Sequence, residues 1–254
     1  MISNQPKHIY FASDFHLGVP NFEDSLKREK LLCLWLDSIK SQVSELYLLG
    51  DLFDFWFEYK DVVPKGYTRF LGKLSELSDN GVKITLFKGN HDMWTFGYLE
   101  KEIGLTVISD ELVIERNAKK IFMHHGDGIG PGDKMYKLIR KLFRSYWAIK
   151  LFAFLHPRIG AGLAKYLSKS SRIQKEQTGA DKNYLGDDKE FITQFCLEHL
   201  KHQHIDYFVC GHRHLPLNIE LSNNSRYINL GEWVNYFTYA VFDGNNMELK
   251  KFEV

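Results

Sequence analysis

Cysteine is scarce in this chain. Three residues, Cys33, Cys196 and Cys210, stand far apart among 254, odd in number and without a C-x-x-C pair. That excludes a disulfide-stapled scaffold and predicts a reduced, cytoplasmic setting. Cys33 in "LLCLWL" and Cys210 in "YFVCG" are expected to be small core residues. Long apolar runs are also missing: no uncharged stretch reaches the ~18 residues that a membrane-spanning helix needs. The opening "MISNQPKHIYFASD" lacks the basic flank and apolar centre of a signal peptide. G-x-S-x-G, the P-loop and G-x-G-x-x-G do not occur, which argues against acyl transfer, P-loop phosphate binding and dinucleotide binding. No internal repeat or low-complexity tract is present.

What is present suits a globular protein. Hydrophobic residues make up 44% and charged residues 26%, a balance that argues against disorder. The length predicts one large domain over 1–254, with an insertion at about 134–180. Net charge is only +1, yet from Lys134 to Lys175 there are eleven Lys or Arg and no Asp or Glu. The rest of the chain is therefore acidic, and the basic segment is expected to face an anionic partner.

Five runs share one pattern, apolar or β-branched residues ending in a polar cluster: "HIYFASDFH" (8–16), "ELYLLGD" (45–51), "KITLFKGNHD" (83–92), "KIFMHHGD" (120–127) and "DYFVCGHRH" (206–214). Such nearly continuous apolar strands are buried on both faces. Helical periodicity lies between them. One helix is expected from about Glu23 to Ser41, with Leu31, Leu32, Trp35, Leu36 and Ile39 inward. Another is expected from about Tyr67 to Asn80, with Phe70, Leu71, Leu74 and Leu77 inward and Gly81 as its stop. A third, near Asp187 to His202, should bury Phe191, Ile192, Phe195 and Leu200. Strands alternating with helices imply an α/β sandwich with much parallel pairing. The C-terminal stretches "SRYINLGEW" and "YAVFDGNNMELKKFEV" read as short antiparallel strands joined by a Gly-Asn-Asn turn. The basic region reads as a pair of inserted helices, broken at His156-Pro157, lying over the sheet ends.

Ligand-bearing loops in open α/β sheets gather at the carboxyl ends of strands. Here those ends carry Asp14-x-His16, Gly50-Asp51, Gly89-Asn90-His91-Asp92, His125-Gly126-Asp127 and Gly211-His212-x-His214. Carboxylate, imidazole and amide oxygen without thiolate suit Mn²⁺, Fe²⁺, Co²⁺ or Zn²⁺ in an open site. Any one fragment could be an ordinary surface turn; five in one chain, in this order, point to a metal centre. His124 directly precedes His125, so in a strand it faces the other way and should pack or make a supporting hydrogen bond. His199, His202 and His204 look solvated.

The ordered set D-x-H, G-D, G-N-H-D, H-G-D and G-H-x-H resembles the calcineurin-like metallophosphoesterase superfamily across nearly the whole chain. That resemblance implies an αββα sandwich of two mixed sheets flanked by helices, with a helical lid. It implies two divalent ions, Mn²⁺ foremost: Asp14, His16, Asp51 and His214 on one, and Asp51, Asn90, His125 and His212 on the other. Asp51 would bridge them, His91 would face the substrate phosphate, and Asp92 would orient the His91 ring. Two such ions about 3.5–4 Å apart activate water and neutralise charge in phosphoryl transfer.

The helical insertion and "GDLFDFW" (50–56) resemble the UDP-2,3-diacylglucosamine pyrophosphohydrolases. The resemblance implies hydrolysis of UDP-2,3-diacylglucosamine to UMP and 2,3-diacylglucosamine 1-phosphate, in lipid A synthesis at the inner membrane. An apolar trough for acyl chains could be lined by Leu142, Phe143, Trp147, Leu151, Phe152 and Phe154. Arg140, Lys141, Arg144 and Lys150 are expected at the surface, toward substrate or anionic lipid. That family carries G-N-R-D where this chain has His91, and Arg172 or Lys182 could supply the missing cation. Three other readings stay open: a different phosphohydrolase, such as one acting on another nucleotide diphosphate or a phosphodiester; a nuclease, though the interleaved aliphatics argue against nucleic acid; and a metal-free scaffold on the same fold.

Overall fold

The structure, a computed structural model, describes residues 7–132, 134–164, 166, 168 and 183–253. The five apolar runs become strands that stop short of their polar tails: β1 (His8–Ala12), β2 (Val43–Leu48), β3 (Lys83–Phe87), β6 (Lys119–His124) and β7 (Tyr207–Cys210). Alternation along each strand divides its side chains between two layers. In β1, Ile9 and Phe11 face the second sheet, whereas Tyr10 and Ala12 pack under the helices.

Two sheets result. One runs β11–β10–β1–β2–β3–β4, with β4 at Thr106–Ile108, β10 at Thr238–Phe242 and β11 at Met247–Lys251; the other runs β5–β6–β7–β9–β8, with β5 at Leu112–Arg116, β8 at Pro216–Glu220 and β9 at Arg226–Leu230. β1 to β4 are parallel, and so are β6, β7 and β9, while the outer strands β5, β8, β10 and β11 pair antiparallel. The expected hairpin around Gly244 joins β10 to β11, but β9 belongs to the opposite sheet. Its run "YINL" is buried throughout, so it sits centrally, beside β7, instead of extending the terminal meander.

The core between the sheets is built from Phe11, Leu49, Phe87, Ile121, Met123, Val209, Ile228 and Ala240, among others. Helices α1 (Phe22–Ile39) and α2 (Thr68–Asp79) cover the first sheet, with the short α3 (Tyr98–Ile103) beside them. Helix α7 (Phe191–Leu200) covers the second. This is a four-layer αββα arrangement. Helix α1 starts where the Asn21 side chain accepts the Asp24 N–H at 2.9 Å, a local cap. Helix α2 has no such cap of its own. Glu29 of α1 accepts the Arg69 N–H at 2.8 Å and the Phe70 N–H at 3.3 Å instead.

Expectations for α7 and the cysteines need small corrections. Phe191 is exposed, and Cys196 takes the buried position on that face. Cys33 is only half-buried, because its helix turns that position toward the rim of the core. His199 is not solvated: its ring lies 5.4–5.8 Å from those of Phe122, Phe195 and Phe208.

The basic insertion has three described helical segments, not two. α4 (Lys134–Phe143) ends at Arg144, and α5 (Tyr146–Ala153) begins with Ser145 accepting the Ala148 N–H at 3.3 Å. After His156-Pro157, α6 is described over 157–164. The extra break comes from Ser145, which offers a ready cap in an otherwise helical run. Neither α4 nor α5 contains a fully buried residue.

Phe15 shows how the first core is locked. It is completely buried and meets Trp35, Phe70 and Trp233 edge-on at 5.5–6.4 Å. Phe15→Ala is expected to cost about 3–5 kcal/mol, read as a shift of the urea midpoint.

Candidate metal centre

The polar clusters converge at one end of the sheets. Asp14 and His16 follow β1, Asp51 follows β2, Asn90 and His91 follow β3, His125 follows β6, and His212 and His214 follow β7. Five of these adopt left-handed backbone: Asp14 (φ 55°), His16 (45°), Asp51 (53°), His212 (65°) and His214 (59°). Such strain in non-glycine residues clusters where a site requires it. Two glycines allow the loops to close on one another. A Cβ on Gly89 would lie 2.1 Å from Asp51 Oδ1, and one on Gly211 would lie 2.5 Å from Asp14 Oδ2.

Two groups of donor atoms share Asp51. Asp14, His16, Asp51 and His214 form one, and Asp51, His125 and His212 form the other, each with its atoms within 4.8 Å. In the first, Nε2 of His16 and Nε2 of His214 stand 3.0 Å apart, while His214 Nε2 is 3.2 Å from Asp14 Oδ1. In the second, His125 Nε2 lies 3.4 Å from Asp51 Oδ2 and 3.2 Å from Asn90 Oδ1. His125 donates through Nδ1 to the Leu49 carbonyl at 2.6 Å, so Nε2 is the nitrogen turned toward the site.

These residues fit divalent cations. Asp14 Oδ1 is buried and accepts no hydrogen bond, although two imidazole nitrogens face it. Nitrogens about 2.1 Å from one ion, at near right angles, lie about 3.0 Å apart. Buried carboxylates facing ring nitrogens call for a cation between them. Burial alone would raise the Asp14 and Asp51 carboxyls, but the surrounding histidines outweigh it and hold both well below the ordinary range. Burial pushes His16 down to about 4, keeping it neutral as a ligand must be. His125 goes the other way: burial would lower it, but the Asp51 carboxylate outweighs that and raises it to about 10. Protons and metal therefore compete for its Nε2.

His91 sits at the rim, half-buried. Its main-chain N–H donates to Asp51 Oδ1 at 2.9 Å, and its Nδ1 donates to the Asp54 carbonyl at 3.0 Å. The expected pairing of Asp92 with that ring is not what the structure contains. Asp92 is buried and accepts the backbone N–H groups of Leu52 (2.7 Å), Gly89 (2.9 Å) and Asp51 (3.2 Å), so it ties the β2 loop to the β3 loop. Burial and the Asp51 charge raise its carboxyl to about 6. Asp54 takes the place assigned to Asp92: its carboxylate is 3.6 Å from His91 Nδ1 and 3.9 Å from His16 Nδ1. "GDLFDFW" contained it three residues after Asp51, the only signal that could have drawn attention to it.

The insertion packs over this end through carboxylates of the core. Ser168 donates to Asp54 at 3.0 Å, and Tyr136 to Asp127 at 2.9 Å. Arg140 Nε is 2.8 Å from Asp127, and Arg144 donates to Asp110 at 3.0 Å. The expectation of Arg140 and Arg144 as outward contacts is thus corrected. Arg140 turns inward to buried Asp127 and Arg144 is held by exposed Asp110, whereas Lys141 and Lys150 are exposed. Phe152 packs on Phe57 and Trp94 at 4.8 and 4.6 Å, while Trp147 stands 80% exposed. Arg172 and Lys182 lie outside the described residues.

No protein-family model matches the sequence. A UDP-2,3-diacylglucosamine hydrolase of Porphyromonas gingivalis is 39% identical over 255 residues, covering 96% of this chain and 97% of that one. The chain belongs to the UDP-2,3-diacylglucosamine hydrolase family. Similarity to other UDP-2,3-diacylglucosamine hydrolases is lower but nearly as long. The protein of Neisseria meningitidis serogroup A is 29% identical over 94% of this chain and 95% of its own. That of Haemophilus influenzae Rd is 27% identical over 89% and 91%. Among solved structures, an archaeal phosphodiesterase overlaps loosely, at TM-score 0.45 and 13% identity over 96% of this chain and 98% of that one.

His124 fulfils its supporting part in this hydrolase-family chain. It is buried, and its Nδ1 accepts the Gly126 N–H at 2.8 Å, holding the turn after His125. Burial lowers it to about 4 from its ordinary 6.5. Stability from this residue is intact above about pH 6.5 and is lost as pH falls toward 4, because there the unfolded chain takes up a proton that the folded one refuses. Relative to His124→Gln, the wild type should lose up to about 3 kcal/mol between pH 7 and pH 4, measured by urea unfolding across that range.

Proposed function

We propose that the chain hydrolyses the pyrophosphate bond of UDP-2,3-diacylglucosamine, releasing UMP and 2,3-diacylglucosamine 1-phosphate, as a step of lipid A biosynthesis. The observation that carries this reading is the pair of donor groups meeting at Asp51, in a chain 39% identical to a hydrolase of that name. Asp14, His16, Asp51 and His214 would hold one divalent ion; Asp51, Asn90, His125 and His212 would hold the second, with Mn²⁺ the preferred metal. Bound there, the ions would acidify water and neutralise charge growing on the phosphoryl oxygens.

The chain's own residues would do the rest. His91, fixed through Nδ1 by Asp54, presents Nε2 to the phosphoryl group, where it can stabilise developing charge or hand a proton to the leaving oxygen. Asp92 holds the loops bearing Asp51 and Asn90 at their mutual distance. The insertion, packed on Trp94 through Phe143 and Phe152, would cover the sugar and its acyl chains and exclude water from them.

Asp51→Ala removes the ligand common to both groups, so hydrolysis should fall on the order of 10³-fold or more while the circular dichroism spectrum is retained. UMP release from UDP-2,3-diacylglucosamine in detergent, compared with UDP-N-acetylglucosamine and bis-p-nitrophenyl phosphate, tests the substrate. Preference for the lipid supports the reading. Equal turnover of the soluble esters would favour the alternative phosphodiester or nucleotide-diphosphate reading, to which His91 in place of the family's Arg also lends itself.

We further propose peripheral attachment to the cytoplasmic face of the inner membrane. Among the described residues no helix is long and apolar enough to cross a membrane. Yet Leu142, Trp147, Leu151 and Phe154 are exposed on the insertion, beside Lys141 and Lys150. Large exposed apolar groups bordered by lysine suit an anionic lipid surface. Replacing Trp147 and Phe154 together by Ser should weaken binding to phosphatidylglycerol-containing vesicles about tenfold or more in a sedimentation assay, and added salt should weaken wild-type binding.

A further inference from the structure

The residue between His212 and His214 is not placed as an ordinary turn residue. Arg213 is 13% exposed at its side chain and Glu190 6%. Arg213 Nε lies 3.0 Å from Glu190 Oε2, and Nη2 lies 3.0 Å from Oε1, a two-pronged pair. Nη2 also donates to the Asn183 carbonyl at 2.8 Å, and Glu190 Oε1 accepts the Leu185 N–H at 3.1 Å. One ion pair thus joins the turn after β7 to the 183–190 segment and the start of α7.

That turn is under strain, since His212 and His214 both have left-handed backbone. Main-chain contacts hold its near end: Gly211 N–H donates to the His125 carbonyl at 2.8 Å, and His212 N–H to Asp14 Oδ2 at 2.9 Å. The Arg213 side chain reaches outward to the other flank. His212 belongs to the donor group with His125, and His214 to the group with Asp14 and His16. A displacement of Arg213 therefore moves one donor of each group. Charge matters as well. A guanidinium beside a site for two dications opposes their binding unless a carboxylate neutralises it, and Glu190 does so.

We infer that Arg213 and Glu190 are positioning residues whose ion pair holds His212 and His214 in register for both ions. This rests on the dinuclear reading proposed above. The test is Mn²⁺ titration of the metal-stripped full chain by calorimetry, with bound metal counted by elemental analysis. The wild type should take up two ions. Glu190→Gln and Arg213→Met should each weaken uptake about 10–100-fold, with Arg213→Lys between them and the wild type. The double variant should bind no worse than the weaker single variant, because both remove one interaction. Should Arg213→Met fail to fold, Glu190→Gln alone decides. A Glu190→Gln protein with a lowered melting temperature but wild-type affinity for both ions would overturn the inference, leaving the pair as a strut. Losses that simply add in the double variant would also overturn it. A wild type that takes up fewer than two ions would overturn the dinuclear reading and this inference together.

Discussion

The Asp51 carboxylate is almost fully buried, and a charge in that position persists only if its surroundings supply partners. Its Oδ1 takes the His91 N–H, its Oδ2 faces His125, and both donor groups include it. Much of the architecture serves that arrangement. The parallel order β1–β2–β3 brings three polar tails side by side, and β6 and β7 deliver two more from the facing sheet. Asp92 then fixes the spacing between the β2 and β3 loops through three backbone N–H groups. Moving any one of these strands by a residue would turn its ligand to the opposite face.

The insertion is organised on a different balance. Two of its polar anchors run inward to buried Asp54 and Asp127 and a third meets exposed Asp110, while much of its apolar surface runs outward. An ordinary helical pair would show the reverse, with hydrophobic residues buried and cations in water. The proposed lipid contact would make use of this inversion. It also ties the cover to the site: Asp54 touches Ser168 of the insertion and, from the same residue, holds His91.

The layered fold was largely legible in the sequence, because continuous apolar strands and 3.6-residue periodicity are local signals of burial. The place of β9 was not. "RYINL" looks like one more terminal strand, and only the competition between two sheets for a fully apolar segment decides which one takes it. The break at Ser145 was similarly hidden, since a serine within a helical run caps a new helix only when the chain has reason to turn there.

The candidate donors could be named from the family resemblance carried by D-x-H, G-D, G-N-H-D, H-G-D and G-H-x-H, each at the end of an apolar strand. Which carboxylate serves which neighbour could not. Asp92 adjoins His91 in sequence, yet a sharp turn sends its oxygens to backbone amides, whereas Asp54 reaches the ring from the next loop. Arg140 and Arg144 read as surface cations because charge patterning does not show that the chain folds back to set Arg140 against buried Asp127 and Arg144 against exposed Asp110. Local pattern determined the elements and the kinds of ligand. Long-range packing decided the pairing of charges, because electrostatic partners are chosen by distance in space and by burial, neither of which is written in the order of residues.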